Sequence, residues 1–316
     1  MDRRGGEARS RGVATTGRRT ASGVALGPTP RLHVSPSRRR QLNVPLVAAY
    51  AMVLLAVAII GLPLLWMVLG SLKTNREIYT LPPPWLPAEW RWQNFAEAWT
   101  AAPFDRFYLN TLVTTAAGTG LEVVNAVLTA YALAFLRFPK KEWVFVLILA
   151  ALMIPNQVTI LPNYLTLSNV FGQSWINTYQ GIVLPGAATA FGAFLLRQSF
   201  LGLPREVLDA AKVDGCGHLR LLWDVVLPMS RPVLVTFGLI SLVAKWNDYL
   251  WPLIVTNEDR MRTLTVGLTY LFDAEGNTDW GPIMAAAIFV IVPLLVIYVW
   301  AQKYVIEGIT AGATKG

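Results

Sequence analysis

The chain has 316 residues, of which 54% are hydrophobic and 15% charged, and its formal net charge is +8. Soluble domains carry roughly 25% charged residues; here the apolar residues are also blocked into long runs, which argues against an ordinary soluble domain and for a membrane protein. A single cysteine, Cys216, excludes an intrachain disulfide, and two histidines, His33 and His218, argue against a metal site or a catalytic triad.

Residues 1–42 hold ten of the 27 Lys and Arg residues among Ser, Thr, Gly and Pro. They predict a disordered basic cytoplasmic tail. No nucleic-acid partner is expected, because membrane orientation already accounts for the charge. The apolar run after Arg38, Arg39 and Arg40 is too long for a signal peptide and lacks a convincing cleavage site, so it reads as a retained first span.

Residues 43–316 then predict one all-α, polytopic membrane domain. Six apolar segments approach the roughly 20 residues needed to cross a bilayer. They cover residues 45–71, 108–135, 143–165, 180–200, 230–255 and 282–302. Pro155, Pro162 and Pro185 predict kinks in the third and fourth. With both termini inside the cell, twenty basic residues fall on the cytoplasmic side and six outside, which fixes the orientation. The first external segment, residues 72–107, concentrates Trp85, Trp90, Trp92 and Trp99, read as headgroup-level anchors.

Polar residues within spans are costly and are candidates for a solute pathway. Glu122 and Asn125 lie a turn apart in the second span, Asn156 and Gln157 follow a kink in the third, and Lys245, Asn247 and Asp248 cluster in the outer half of the fifth. Each could equally serve a helix–helix hydrogen bond, and Lys245 is placed to pair with Asp248. Gly118 and Gly120 read as close-packing positions.

Between the fourth and fifth spans, residues 203–228 carry more structure than a connection needs. Pro204 suits a helix start, and Glu206 and Asp209 favour the positive end of its dipole. Val207, Leu208, Ala211 and Ala210 predict one thin apolar side, and Gly215 permits a sharp turn. A second short helix follows, with Leu219, Leu222, Trp223 and Val226 available to pack, until Pro228 ends it. The pattern alone leaves two readings open, a docking surface for another protein or an amphipathic helix lying on lipid.

This segment resembles the EAA motif of ABC importer permeases: Glu-Ala-Ala, three residues, Gly, nine residues, then Ile-x-Leu-Pro. Asp209-Ala210-Ala211, Gly215 and Val225-Val226-Leu227-Pro228 keep every spacing, with Asp209, Cys216 and Val225 as mild departures. The resemblance runs from about Leu72 to the C-terminus. It is nearest the second permease subunit of maltose-type carbohydrate importers, through residues 154–162, 246–253 and the Gly-rich ending 308–316. Residues 155–159 and 275–280 are also similar to glycerol-3-phosphate permease subunits.

What the resemblance implies is the binding-protein-dependent ABC importer permease fold in the cytoplasmic membrane, moving a carbohydrate, glycerol-3-phosphate or a glycerophosphodiester. Its implied partners are a second permease, two ATP-binding subunits, an extracytoplasmic solute-binding protein and membrane lipid. It implies ATPase coupling through Glu206, Asp209, Ala210, Ala211, Asp214, Gly215, Leu227 and Pro228. No catalytic residue, metal or bound cofactor is expected in this chain, which has no GxxxxGK[ST] loop; ATP and Mg would be used by the partner ATPase. The alternative is a secondary transporter or channel that works without an ATPase.

Overall fold

The computed structural model describes residues 44–272 and 278–313. The expected basic tail therefore lies outside the described residues, as do parts of two segments that carry the resemblance, residues 275–277 and 314–316. The chain divides into two units, residues 1–54 and 55–316. The first contributes only the opening turns of helix α1 (Val44–Gly70) to the described residues; all that follows concerns the second.

Among the described residues, three helices are singly long and apolar enough to cross a membrane: α1, α4 (Phe104–Phe135) and α15 (Trp280–Ala313). Three further pairs qualify as spans only if each bent pair counts as one, giving up to six. The expected third span is α5 (Lys141–Ala151) and α6 (Asn156–Ser168), bent by 99°. Pro155 sits at the break, where it has no N–H to continue the ladder and disfavours helical geometry in the residue before it. The reading of one kinked helix over residues 143–165 is corrected to two helices nearly at right angles.

The fourth span pairs α7 (Tyr179–Val183), extended by a short turn through Pro185, with α8 (Ala190–Leu201) at 47°. The third bent pair joins His218–Met229 to Arg231–Trp246 at 83°, and the fifth span, expected over residues 230–255, is itself broken. Helix α12 (Arg231–Trp246) ends at Asn247, and α13 (Leu250–Val255) starts afresh after Tyr249.

Helix α4 is the post around which the unit is assembled, packing on α8 and α12. One apolar cluster joins its Ala126, Val127, Ala130 and Tyr131 to Leu196 and Phe200 of α8 and Phe237 of α12. A second gathers Phe104, Phe107 and Trp246 against Ala285, Ala286 and Val290 of α15. The carbonyl end of α4 is met by cations, as a helix C-terminus favours. Lys141 donates to the Ala134 and Leu136 carbonyls at 3.2 Å, and buried Arg197 donates to Leu133 O at 3.3 Å while lying 3.9 Å over the Phe145 ring.

The connection between α1 and α4 is ordered by side chain-to-backbone bonds. Helix α2 (Asn75–Tyr79) opens with a capping box in which Thr74 and Glu77 satisfy each other's backbone N–H groups. Glu77 also accepts from Ala88 N–H at 2.6 Å, and these N–H donors hold its carboxyl below the usual range. Buried Lys73 donates to Pro84 O and lies 4.3 Å from the Trp66 ring centre. Asn94, on α3 (Gln93–Thr100), donates to the Ser71 and Lys73 carbonyls at 2.9 Å each.

Candidate functional site

Two places in the unit carry the chemistry the sequence singled out. The first is a helical hairpin. Helix α9 (Arg205–Val213) starts after Pro204, whose fixed φ of −58° suits that position, with Glu206 in its first turn. Leu208 and Ala211 are buried against the α4–α8–α12 cluster, while Val207 and Ala210 are exposed. The expected apolar side is therefore narrower than its sequence stripe.

The helix closes with paired backbone bonds. Gly215, at φ +78°, donates to Lys212 O, and Cys216 donates to Ala211 O, both at 3.0 Å. This is the Schellman arrangement, which needs a left-handed residue after the cap. A Cβ at Gly215 would meet nothing within 4 Å, so the requirement for glycine is one of backbone conformation and not of space. Cys216, one residue on, packs its thiol against the cluster.

The return arm comprises α10 (His218–Leu221), a π-helical turn over Leu222–Val226 and α11 (Leu227–Met229). Leu221, Leu222 and Val226 face inward. Leu219 and Trp223, expected to pack, point away at 72% and 66% exposure. Pro228 does not end the arm; the helix reaches Met229 and the chain bends by 83° into α12.

Glu206, Asp209, Ala210 and Asp214 thus share an exposed surface with Gly215, and Leu227 packs partly into the cluster. Asp209 pairs with Lys212 at 2.9 Å and Arg220 with Asp224 at 3.2 Å, both in the open. The Tyr131 hydroxyl on α4 lies 3.1 Å from His218 Nδ1, a polar tie between hairpin and span. The sequence offered no signal for that pair.

The second place is a cavity of about 470 Å³ bordered by α4, α6, α12, α13 and the turn at Pro185–Gly186. Glu122, Asn156, Gln157, Lys245 and Asp248 line it, as do Thr114, Thr159, Asn163 and Thr189, which were not among the expected pathway residues. Asn125 and Asn247 do not line it. Asn125 donates to the Leu121 and Ala187 carbonyls at 3.1 and 3.0 Å, and Asn247 donates to Val243 O at 2.9 Å.

Lys245 does not make the expected ion pair with Asp248. Its Nζ stands 3.0 Å from Glu122 Oε2 and donates to Gly186 O at 2.8 Å. Ser241 donates to the same Glu122 oxygen at 2.6 Å. The fifth span stops at Trp246, so Asp248 leaves the helical face that Lys245 occupies. Gly118 gives the lysine stem its room: a Cβ there would lie 2.6 Å from Lys245 Cδ. Gly120 has nothing within 4 Å, so its expected close-packing role is corrected.

Comparison with known proteins gives the arrangement a family context. Residues 111–310 match the family model described as binding-protein-dependent transport system inner membrane component. The chain is 32% identical to the sn-glycerol-3-phosphate transport system permease protein UgpE of Yersinia enterocolitica over 270 residues, covering 83% of this chain and 95% of that protein. It is 31% identical to the probable ABC transporter permease protein YurM of Bacillus subtilis over 296 residues, 92% and 96% of the two chains. In fold it is similar to a chain of a bacterial ABC transporter involved in import of the acidic polysaccharide alginate. That likeness has a TM-score of 0.72 at 21% identity, over 83% of this chain and 96% of the other.

Proposed function

Because the chain belongs to the family of binding-protein-dependent inner membrane transport components, we propose that it is one of two permease subunits of an ATP-driven importer for a sugar or sugar-like solute. The family match across most of the spanning unit carries this reading. The relatives named for sn-glycerol-3-phosphate, and the fold shared with an alginate importer, support a carbohydrate, glycerol-3-phosphate or glycerophosphodiester as cargo. A related structure in complex with a pentasaccharide-bound periplasmic protein supports a solute-binding protein on the outer face.

In this reading the termini are cytoplasmic, as the basic-residue asymmetry favours. Two ATPase subunits use ATP and Mg, and one of them meets the exposed surface of α9 at Glu206, Asp209, Ala210 and Asp214. This chain binds no nucleotide itself. Closure of the ATPases pushes the hairpin, and the apolar cluster passes the push on. Leu208, Ala211, Leu221, Leu222 and Val226 are packed with α4, α8 and α12, so the hairpin and those spans move together.

The test is reconstitution of the chain with its partner permease, ATPase and solute-binding protein in proteoliposomes. Solute-dependent ATP hydrolysis and uptake are expected, and both are lost in Gly215→Asp, which sets a side chain and a second negative charge beside Asp214 on the docking surface. Uptake driven by an ion gradient without ATP would instead establish a secondary transporter and overturn the proposal.

A further inference from the structure

The cavity holds one ammonium group and two carboxylates among its lining residues. The ammonium of Lys245 is already committed to the Glu122 carboxylate at 3.0 Å and the Gly186 carbonyl at 2.8 Å. Glu122 is itself held by Ser241, and its side chain is only 12% exposed. With Asp248 ionised the set is net negative; with Asp248 protonated it is neutral. Neither state offers spare positive charge.

A phosphate ester entering such a space would surrender the hydration of a strongly charged group. Among the described lining residues it would find no uncommitted cation to replace that hydration, which is a heavy penalty. An uncharged polyol meets the opposite situation. Asn156, Gln157 and Asn163 each present both donors and acceptors, and Thr159 and Thr189 add hydroxyls. The volume lies within the about 300–1,000 Å³ that small-molecule pockets span.

We infer that this cavity is a solute subsite selecting uncharged polyhydroxylated solutes, and that Glu122 is a specificity determinant which masks Lys245 and so keeps phosphate esters out. The inference rests on the importer reading and narrows its cargo, against the glycerol-3-phosphate named for several relatives. The asymmetry has a simple origin. A lysine that α12 places in the cavity wall would by itself make an anion site, and α4 supplies the carboxylate that cancels it.

The test uses matched pairs that differ only by a phosphate: glucose with glucose 6-phosphate, and glycerol with glycerol 3-phosphate. Saturation-transfer NMR on the assembled permease–ATPase complex, without solute-binding protein, reads contact of each with the membrane subunits. In the wild type, transfer to the parent alcohol should exceed transfer to its phosphate. The phosphate-to-alcohol ratio should rise about threefold in Glu122→Gln, which unmasks Lys245, and about tenfold in the double variant with Asp248→Asn as well. Adding Lys245→Met to Glu122→Gln should return the ratio to the wild-type value. Asp248→Asn alone, which leaves the buried pair intact, gives a smaller rise and guards against misfolding of the Glu122 variant. A wild-type preference for the phosphate esters overturns the inference. So does a ratio unchanged by these substitutions, or no transfer to either member of a pair. If ATP-driven uptake in proteoliposomes persists in any of those cases, the failure lies with the cavity and not with the importer reading.

Discussion

The hairpin turns its charges outward and is held by apolar packing, whereas the cavity keeps an ion pair within and opens its amides to the solute space. Glu206, Asp209 and Asp214 are solvated, and the hairpin rests on Leu208, Ala211, Leu221, Leu222 and Val226. Glu122 and Lys245 are largely withdrawn from water and satisfy each other. The first region should therefore tolerate changes of charge and resist changes of backbone shape. The second should tolerate neither charge removed singly nor bulk added beside it.

The most severe test removes one partner of the buried pair. Lys245→Met leaves Glu122 uncompensated and should cost about 3–5 kcal/mol, while the added Glu122→Gln should recover most of that loss. Thermal unfolding of the single and double variants in detergent measures the coupling; additive losses would break the comparison. Next in size is bulk. Gly118→Ala drives a methyl into the lysine stem and should cost about 1–3 kcal/mol, whereas Gly120→Ala, in open space, should be neutral or stabilise by up to about 1 kcal/mol.

In the hairpin, the informative contrast is between two replacements of Gly215. Valine is penalised at φ +78° by about 1–2 kcal/mol, and asparagine, which tolerates that region, by less. Coupled ATP hydrolysis should follow the same order. The smallest effect is expected for Asp209→Asn, where breaking the exposed pair with Lys212 should change stability by about 0.5 kcal/mol or less. A fall in uptake without a fall in unfolding temperature would then locate the loss at the docking face.

These contrasts also explain what could be read in advance. The hairpin is built from near neighbours, so its turn, helix start and motif spacing all lie within a continuous stretch from Pro204 to Pro228. Its error was one of width: Leu219, Leu222, Trp223 and Val226 form a helical stripe, but only the half centred on Leu222 and Val226 meets the cluster. The cavity joins positions more than a hundred residues apart, and no local spacing pairs Glu122 with Lys245. Asp248 was the partner that an unbroken helix would have offered. The break at Asn247 removed it, and chain order gave no warning because no proline lies between Pro232 and Pro252.

The π-helical turn at Leu222–Val226 gives the hairpin a property akin to the phase of a gear. Bonding from i to i+5 seats one more residue in the turn than an α-helix would. Rewinding the same residues at ordinary α geometry would rotate everything beyond them by about 100° relative to the inward leucines, whereas removing one residue along with the π turn would leave the arm nearly in phase. In the rewound arm, Pro228 and the start of α12 would leave the docking face at a different angle, although the arm would lengthen by only about 1.5 Å. The nine residues between Gly215 and Val225 set an angular register as well as a length.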